Sequence, residues 1–157
     1  MEITVQQVTG ACFSIESHGR RIICDQPLEN GGTGLGLSPP ELLLASLGSC
    51  AAWCAYQYLQ GKHLPATGLI VQVTAERATS PARLDHFGIA ITLPHLADEQ
   101  HIQGLASSVE RCLIHYTLLH PPSIQLSVFG KGGALTEPGA AEGRGVPGEV
   151  REVTQDS

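Results

Sequence analysis

One long apolar segment, residues 42–59, most constrains how this chain can fold. It follows Ser38-Pro39-Pro40-Glu41, where Ser38 is a natural N-cap residue, proline is tolerated in the first helical turn and Glu41 completes a capping box. We therefore predict a helix that begins here, runs to about Leu59 and ends before Gly61-Lys62. Because its first half is apolar on nearly every side, we expect this helix to lie sandwiched in the core.

The same segment is close to the length of a membrane span. It contains Ser46, Ser49 and Gln57, has no flanking cluster of Lys or Arg, and stands alone among segments with the amphipathic patterns of soluble proteins. A buried helix is therefore favoured over insertion into a membrane. A small domain has difficulty covering a helix that is apolar on every side, so we expect a partner subunit to share it.

Composition limits the classes of function that need to be considered. The 157 residues are 42% hydrophobic and 15% charged, which is ordinary for one globular domain. The net charge is −6 and the nine Lys and Arg residues are scattered, so nucleic acid is not an expected partner. Residues 1–10 lack the features of a secretory signal, and we therefore expect a cytoplasmic protein. Its five cysteines are then expected to be thiols and not a disulfide scaffold.

Apolar periodicity predicts six strands and a second, amphipathic helix. That helix begins at Asp98, carries Cys112 on its apolar face and ends before Pro121-Pro122. The predicted strands are residues 3–8, 11–17, 20–24, 69–75, 87–93 and 124–128. The order β-β-β-α-β-β-α-β indicates an α+β fold with mainly antiparallel sheets. We place one domain at residues 1–129 and predict that residues 130–157, which are rich in Gly, Pro, Ala and Glu, form a disordered tail.

Two cysteines, Cys50 and Cys112, are the main candidates for chemistry. A free cysteine in an apolar helix is more often an inert core residue than a nucleophile, and on the residues alone the packing role is favoured for Cys50. Cys54 shares the face of Cys50 one turn later. Thiols at this spacing on an intact helix point in poor directions for a disulfide, so Cys54 is assigned to packing. Cys12 and Cys24 fall in strands and are also interpreted as structural.

The histidines and glycines give weaker indications of a functional site than the cysteines do. His115 stands three residues after Cys112 and could tune that thiol, although a surface or capping role is the usual one. A metal site built from Cys50 and Cys54 with His63 or His115 has no supporting spacing. The glycine-rich loop has no phosphate-loop lysine, and a nucleophile elbow is missing. No spacing indicates a metal, nucleotide or other bound cofactor.

Two separated segments resemble the signatures of the OsmC/Ohr family, the osmotically induced and organic-hydroperoxide-resistance proteins. Residues 38–50, SPPELLLASLGSC, resemble the first signature, and residues 112–118, CLIHYTL, resemble the second. The predicted order of elements over residues 1–129 agrees as well. This resemblance implies an intertwined homodimer in which two sheets wrap around paired central helices, with the active sites at the subunit interface.

The resemblance also implies a reaction. Cys50 would be the peroxidatic thiolate, which attacks an organic hydroperoxide and becomes a sulfenic acid. Cys112 would condense with that sulfenic acid to form a disulfide, which an external dithiol reduces. A neutral thiol is a poor nucleophile, so some cation or N–H donor must lower the pKa of Cys50.

The chain departs from the efficient peroxidases of the family at the groups that hold the thiolate. Those enzymes have an Arg on an early strand or loop and a Glu at the start of the helix. Pro40 occupies the Glu position here, and Glu41 stands one residue late. Residues 9–12 contain no Arg, which leaves Arg20 and Arg21 as candidates. The chain is thus more similar to the broader OsmC-like subgroup.

Two functions from different classes follow from this sequence. In the first, the protein is a thiol-dependent peroxidase that reduces organic hydroperoxides in oxidative stress defence. In the second, it is an OsmC-like dimer with little or no peroxidase activity that binds a small apolar ligand in the interfacial pocket. A third interpretation is a redox sensor, in which Cys50 is oxidised without turnover.

Overall fold

The computed structural model describes residues 1–96, 98–131 and 133–134, and the chain divides into two units, Met1–Leu119 and His120–Ser157. The elements of the first unit are β1 (Thr4–Thr9), β2 (Cys12–Ser17), β3 (Arg20–Cys24), α1 (Pro39–Gly61), β4 (Ile70–Thr79), β5 (Ala82–Thr92), α2 (Glu99–Glu110) and α3 (Leu113–Leu119). The second unit contains the short antiparallel pair β6 (Phe129–Gly130) and β7 (Gly133–Ala134). The predicted α+β class with antiparallel sheets is confirmed. The predicted tail from residue 135 onward lies outside the described residues.

The first three strands form an antiparallel sheet in the order β1-β2-β3. His18 and Gly19 connect β2 to β3 with φ angles of 50° and 75°. Two successive residues at positive φ give a tight turn whose twist matches that of the flanking strands. The strands predicted at residues 3–8, 11–17 and 20–24 are therefore confirmed, and they form a meander.

A buried carboxylate organises the loop between this sheet and α1. Asp25 is 1% exposed, and its side chain accepts hydrogen bonds from the N–H groups of Gln26, Thr33 and Leu35 and from the Thr33 hydroxyl. Gly32 passes so close that an added Cβ would lie 1.8 Å from the carbonyl oxygen of Gln26. The glycine-rich loop is therefore held by a carboxylate that the sequence analysis did not identify.

Helix α1 begins and ends close to the predicted positions. The Glu41 carboxylate accepts hydrogen bonds from both the N–H and the hydroxyl of Ser38, at 2.7 Å each, as expected for a capping box. One row of residues four apart is buried: Leu47, Ala51, Ala55 and Leu59. Trp53, on another face, is 58% exposed. In a single chain the core therefore covers one side of this helix, and the prediction that a partner subunit shares it stays a prediction. By length and composition α1 is also long and apolar enough to cross a membrane.

The core of the first unit lies between α1, α2 and the β4–β5 hairpin. Leu105 and Val109 of α2 pack with the buried row of α1, and the partly buried Ile89 and Ile91 of β5 pack against this cluster. At Gly104 an added Cβ would lie 2.2 Å from the Tyr58 hydroxyl oxygen, so a larger residue there would require the Tyr58 ring to move. The strands predicted at residues 69–75 and 87–93 are confirmed within β4 and β5, which pair as one antiparallel hairpin.

The helix predicted from residue 98 to Pro121 is two helices. The Asp98 side chain caps α2 by accepting from the N–H groups of Gln100 and His101, as its position predicts. The chain then leaves the helix at Arg111 and Cys112 before α3 begins. No glycine or proline stands between Gly104 and Pro121 to mark the break, and the apolar period does not encode it.

The strand predicted over residues 124–128 is also wrong. Residues 121–128 have no regular secondary structure, and Ile124 and Leu126 are exposed. Alternation of apolar and polar residues is not sufficient for a strand, because the backbone also needs a neighbouring edge with which to exchange hydrogen bonds. Among the described residues of this unit, strand pairing is confined to β6 and β7.

Leu59→Ala should destabilise the protein by about 2–5 kcal/mol, because it leaves a cavity where a side chain is fully buried. Urea unfolding of the two proteins, followed by circular dichroism, measures the difference. Leu35→Ala is the matched control, since Leu35 is 85% exposed. Equal losses for the two variants would contradict the assignment of the core.

Asp25 should make stability depend on pH. The Thr33 hydroxyl holds its pKa below the ordinary value, against the opposing effect of burial and with help from three backbone N–H groups. The ionised carboxylate therefore stabilises the folded chain above its unfolded pKa of about 3.9, and this contribution is lost as the pH falls through the lower folded pKa. At about pH 7 the melting temperature of wild type should be higher than that of Asp25→Asn. The difference between the two melting temperatures should become smaller below about pH 4.

Melting curves of the two proteins across this range make the comparison. Glu29→Gln changes an exposed carboxylate in the same loop and should follow wild type. If the difference in melting temperature stays constant down to the lowest pH at which the protein is folded, ionisation of Asp25 does not cause the stabilisation.

Candidate functional site

The fold brings together the two cysteines that the sequence singled out. Cys50 is half-buried on α1, and Cys112 is fully buried at the break between α2 and α3. The Cys112 thiol is within hydrogen-bonding contact of the Cys50 sulfur. Residues that are 62 positions apart in sequence thus form one thiol pair, because α1 packs against both α2 and α3.

The break beside Cys112 exposes backbone N–H groups that a continuous helix would use internally. In an α-helix each N–H donates to the carbonyl four residues earlier. Here the Val109 carbonyl instead accepts from the N–H of Cys112 at 3.0 Å, and the Glu110 carbonyl accepts from the His115 ring at 2.7 Å. The N–H groups of Leu113 and Ile114, at the start of α3, are the backbone groups that act on the Cys50 thiol.

These donors change the acidity of Cys50. Burial raises the pKa of this thiol, but the N–H of Ile114, the Cys112 thiol, the N–H of Leu113 and the Cys54 thiol lower it and outweigh burial. The net result is a pKa below the ordinary value for cysteine. The thiolate is the reactive form, so Cys50 has the environment of a nucleophile and not that of an inert core residue.

The neighbouring thiols are shifted in the opposite direction. Burial raises the pKa of Cys112, and the proximity of Cys50 and Cys54 adds to this, although the His115 N–H donates to the Cys112 sulfur at 3.3 Å and partly offsets it. Burial also raises the pKa of Cys54, followed by the effect of Cys50. Both remain thiols when Cys50 ionises, and both can then donate S–H hydrogen bonds to it.

Cys54 therefore has a role that the sequence analysis missed. Its spacing of four residues from Cys50 places both on one face of α1, which is a sufficient signal for contact, but poor disulfide geometry led to its assignment to packing alone. The donors Leu113 and Ile114 were also missed. They act through backbone N–H groups, which have no signature in the sequence.

The charged residues expected near Cys50 are elsewhere in this chain. Arg21 pairs with Glu16 on the exposed side of the first sheet, and Arg20 is exposed. The Glu41 carboxylate is engaged by Ser38. Among the described residues, the groups that lower the pKa of Cys50 are N–H and S–H donors, and no cation is one of them.

The remaining cysteines lie in the first sheet. Cys12 and Cys24 are both buried in β2 and β3. Burial raises the pKa of Cys24, and the adjacent Asp25 and Cys12 raise it further. In the part of the chain that the structure describes, no group of three or more His, Cys, Asp or Glu side chains could hold a metal ion.

A cavity of about 430 Å³ lies near the thiol pair, lined by neighbours of the two cysteines and not by the cysteines themselves. Its walls include Leu47, which is one turn before Cys50 on α1, and His115, whose N–H contacts Cys112. Phe87 and Leu118 make much of the rest apolar, while Asp85 and His86 add polar groups. A cavity of this size and lining suits a small organic molecule.

Residues 32–127 match the family described as OsmC-like protein. The chain belongs to the OsmC-like family. The matched range covers more than half of the chain and includes both Cys50 and Cys112. No curated protein matches the chain by sequence.

Solved structures share the OsmC-like fold. A Psychrobacter arcticus 273-4 protein described as an osmotic stress induced and detoxification response protein is 25% identical with a TM-score of 0.68, and the match covers 73% of this chain and 85% of that one. An OsmC-like protein from Mycoplasma pneumoniae is 23% identical with a TM-score of 0.66, covering 76% and 87%. An organic hydroperoxide resistance protein, OsmC, from Legionella pneumophila is 16% identical with a TM-score of 0.56, covering 75% and 89%.

Cys50 should react with iodoacetamide at lower pH than any other cysteine in the site. Its lowered pKa gives a larger thiolate fraction, while the raised pKa values of Cys54 and Cys112 keep these two protonated. Peptide mapping by mass spectrometry after brief alkylation over a series of pH values measures each cysteine separately. A midpoint for Cys50 at or above that of a free cysteine, about 8.5, would overturn the assignment.

Proposed function

We propose that this protein is a thiol-dependent peroxidase that reduces organic hydroperoxides, with Cys50 as the peroxidatic and Cys112 as the resolving cysteine. One observation carries the proposal: a thiol of lowered pKa is in contact with a second, buried thiol of raised pKa. The first is suited to attack a peroxide, and the second is held where it can reach the oxidised sulfur. The OsmC-like family membership supports a role in redox chemistry or hydroperoxide resistance.

The first step oxidises Cys50. Its thiolate attacks the terminal oxygen of ROOH, the O–O bond breaks, and the alkoxide takes a proton to leave as ROH. Cys50 becomes a sulfenic acid. The N–H groups of Leu113 and Ile114 stabilise the negative sulfur before attack, in a site where partial burial strengthens each hydrogen bond.

The second step forms a disulfide. The Cys112 sulfur attacks the Cys50 sulfenic sulfur, the S–O bond breaks, and water leaves with the proton of the thiol. An external dithiol then reduces the disulfide to two thiols and is itself oxidised to a disulfide. No bound cofactor is needed for any of these steps.

The cavity beside the thiols supports an organic substrate. Hydrogen peroxide would gain little from walls such as Leu47 and Phe87, whereas an alkyl hydroperoxide would bury its hydrocarbon against them. The alkyl compound is therefore the expected substrate.

The working protein is proposed to be a cytoplasmic homodimer. OsmC and Ohr proteins are generally dimeric. In the single chain the exposed Trp53, Tyr56 and Leu43 leave much of α1 uncovered, as expected for a helix that a second copy shares.

A second candidate function is binding of a small apolar ligand without turnover. A cavity of about 340 Å³ between β5 and α2 favours it, since its lining is entirely apolar: Ile89, Ile91, Leu93, Leu96, Ile102, Leu105 and Ala106. Such a cavity would hold a hydrocarbon without any participation of Cys50.

Peroxide consumption by the pre-reduced protein with a dithiol decides between the two functions. Wild type should consume an alkyl hydroperoxide faster than hydrogen peroxide, and Cys50→Ser should fall to the background rate. With the dithiol left out, Cys112→Ser should consume about one equivalent per chain and retain a Cys50 sulfenic acid that dimedone traps. Cys12→Ala, a buried cysteine of the first sheet, serves as the control and should turn over like wild type. Equal rates for wild type and Cys50→Ser would leave only the ligand-binding function.

A further inference from the structure

One side chain, that of His115, occupies a backbone acceptor at the break between α2 and α3. The Glu110 carbonyl would accept from the N–H of Ile114 if the helix continued. In this structure it accepts instead from Nδ1 of His115, at 2.7 Å. A carbonyl oxygen can only accept, so Nδ1 carries the hydrogen and the tautomer of His115 is determined.

The backbone of His115 makes a second contact at the break. The backbone N–H of His115 donates to the Cys112 sulfur at 3.3 Å, where a continuous helix would direct it to the Arg111 carbonyl. His115 thus occupies a helical acceptor with its ring and caps the Cys112 side chain with its backbone. It is half-buried and lines the cavity beside the thiols.

We propose that His115 is a positioning residue for Cys50: by taking the Glu110 carbonyl, its ring leaves the N–H of Ile114, together with that of Leu113, to hydrogen-bond the Cys50 sulfur. The imidazole is not required to touch the substrate or to transfer a proton. This inference rests on the proposed role of Cys50 as the reactive thiol, and it supplies an activation that no Arg among the described residues provides.

Loss of the ring N–H should have a definite consequence. The Glu110 carbonyl would be left to compete for the N–H of Ile114, the helix would tend to close across residue 112, and Cys50 would lose a donor. Removal of one hydrogen bond to an ionised group corresponds to a change on the order of tenfold in the thiolate equilibrium. The rate of Cys50 alkylation at about pH 7 should fall by a similar factor, because only the thiolate reacts.

The experiment measures the pH profile of Cys50 alkylation in three variants of His115. His115→Ala removes the donor. His115→Asn restores an N–H near the position of Nδ1, whereas His115→Gln carries the same amide one carbon further out. The expected result is a Cys50 midpoint that moves to higher pH in His115→Ala and His115→Gln and returns toward wild type in His115→Asn. The exposed His95→Ala serves as the control and should leave the midpoint unchanged.

An unchanged midpoint in His115→Ala would overturn the proposal, and so would equal midpoints in His115→Asn and His115→Gln. If His115→Ala does not fold, the two amide variants decide the matter, since they differ only in where the N–H lies. Alkylation does not need a peroxide or a reductant. Failure of peroxide turnover would therefore reject the proposed enzyme without rejecting the role of His115, and an unmoved pH profile would do the reverse.

Discussion

Packing of α1 against α2 and the β4–β5 hairpin is the interaction on which the rest of the first unit depends. The buried row on α1 presents two alanines, Ala51 and Ala55, between Leu47 and Leu59, and small residues let the neighbouring backbone come close. Gly104 on α2 meets the Tyr58 ring in the same contact, and the Tyr58 hydroxyl lies 3.1 Å from Nδ1 of His101. This contact lies about two turns after Cys50 on α1 and fixes α2 against that helix.

The chemistry of the site follows from a conflict between burial and ionisation. A thiol at the edge of a core is costly to ionise, and Cys54 and Cys112 show this cost as raised pKa values. The pKa of Cys50 is lowered in spite of its burial, because N–H groups at the start of α3 and neighbouring thiols act on it as hydrogen-bond donors. Backbone N–H groups carry no charge of their own and no desolvation cost comparable with that of a buried Arg, so they can stabilise a thiolate in a place where a cation would be expensive.

Much apolar surface remains open in one chain. Val5, Val8 and Ile22 of the first sheet are exposed, as is Trp53 on α1. Monomeric soluble proteins rarely leave contiguous apolar surface of this kind uncovered. A second copy of the chain is the economical cover, and this is consistent with the homodimer proposed above. The apolar residues of α1 also explain why this helix is long and apolar enough to cross a membrane, although it is the central helix of an OsmC-like fold.

The sequence by itself determined the elements whose signals are local. The capping box at Ser38 and Glu41, the turn at His18 and Gly19 and the alternation along β4 and β5 each depend on neighbours a few residues away, and each is confirmed. The family was also recognisable, since both cysteine signatures are continuous segments.

Only the tertiary structure decided the rest. The apolar period predicted one helix through Cys112, where the structure has two. Periodicity gives no sign that the His115 ring hydrogen-bonds the Glu110 carbonyl five residues earlier. It also predicted a strand at residues 124–128, which is wrong. Alternation of apolar and polar residues does not show whether a neighbouring strand edge is available for pairing. The acidity of Cys50 depends on N–H groups more than sixty residues away. Backbone donors of this kind are the same in every residue except proline, so only the folded chain shows which of them a thiolate will use.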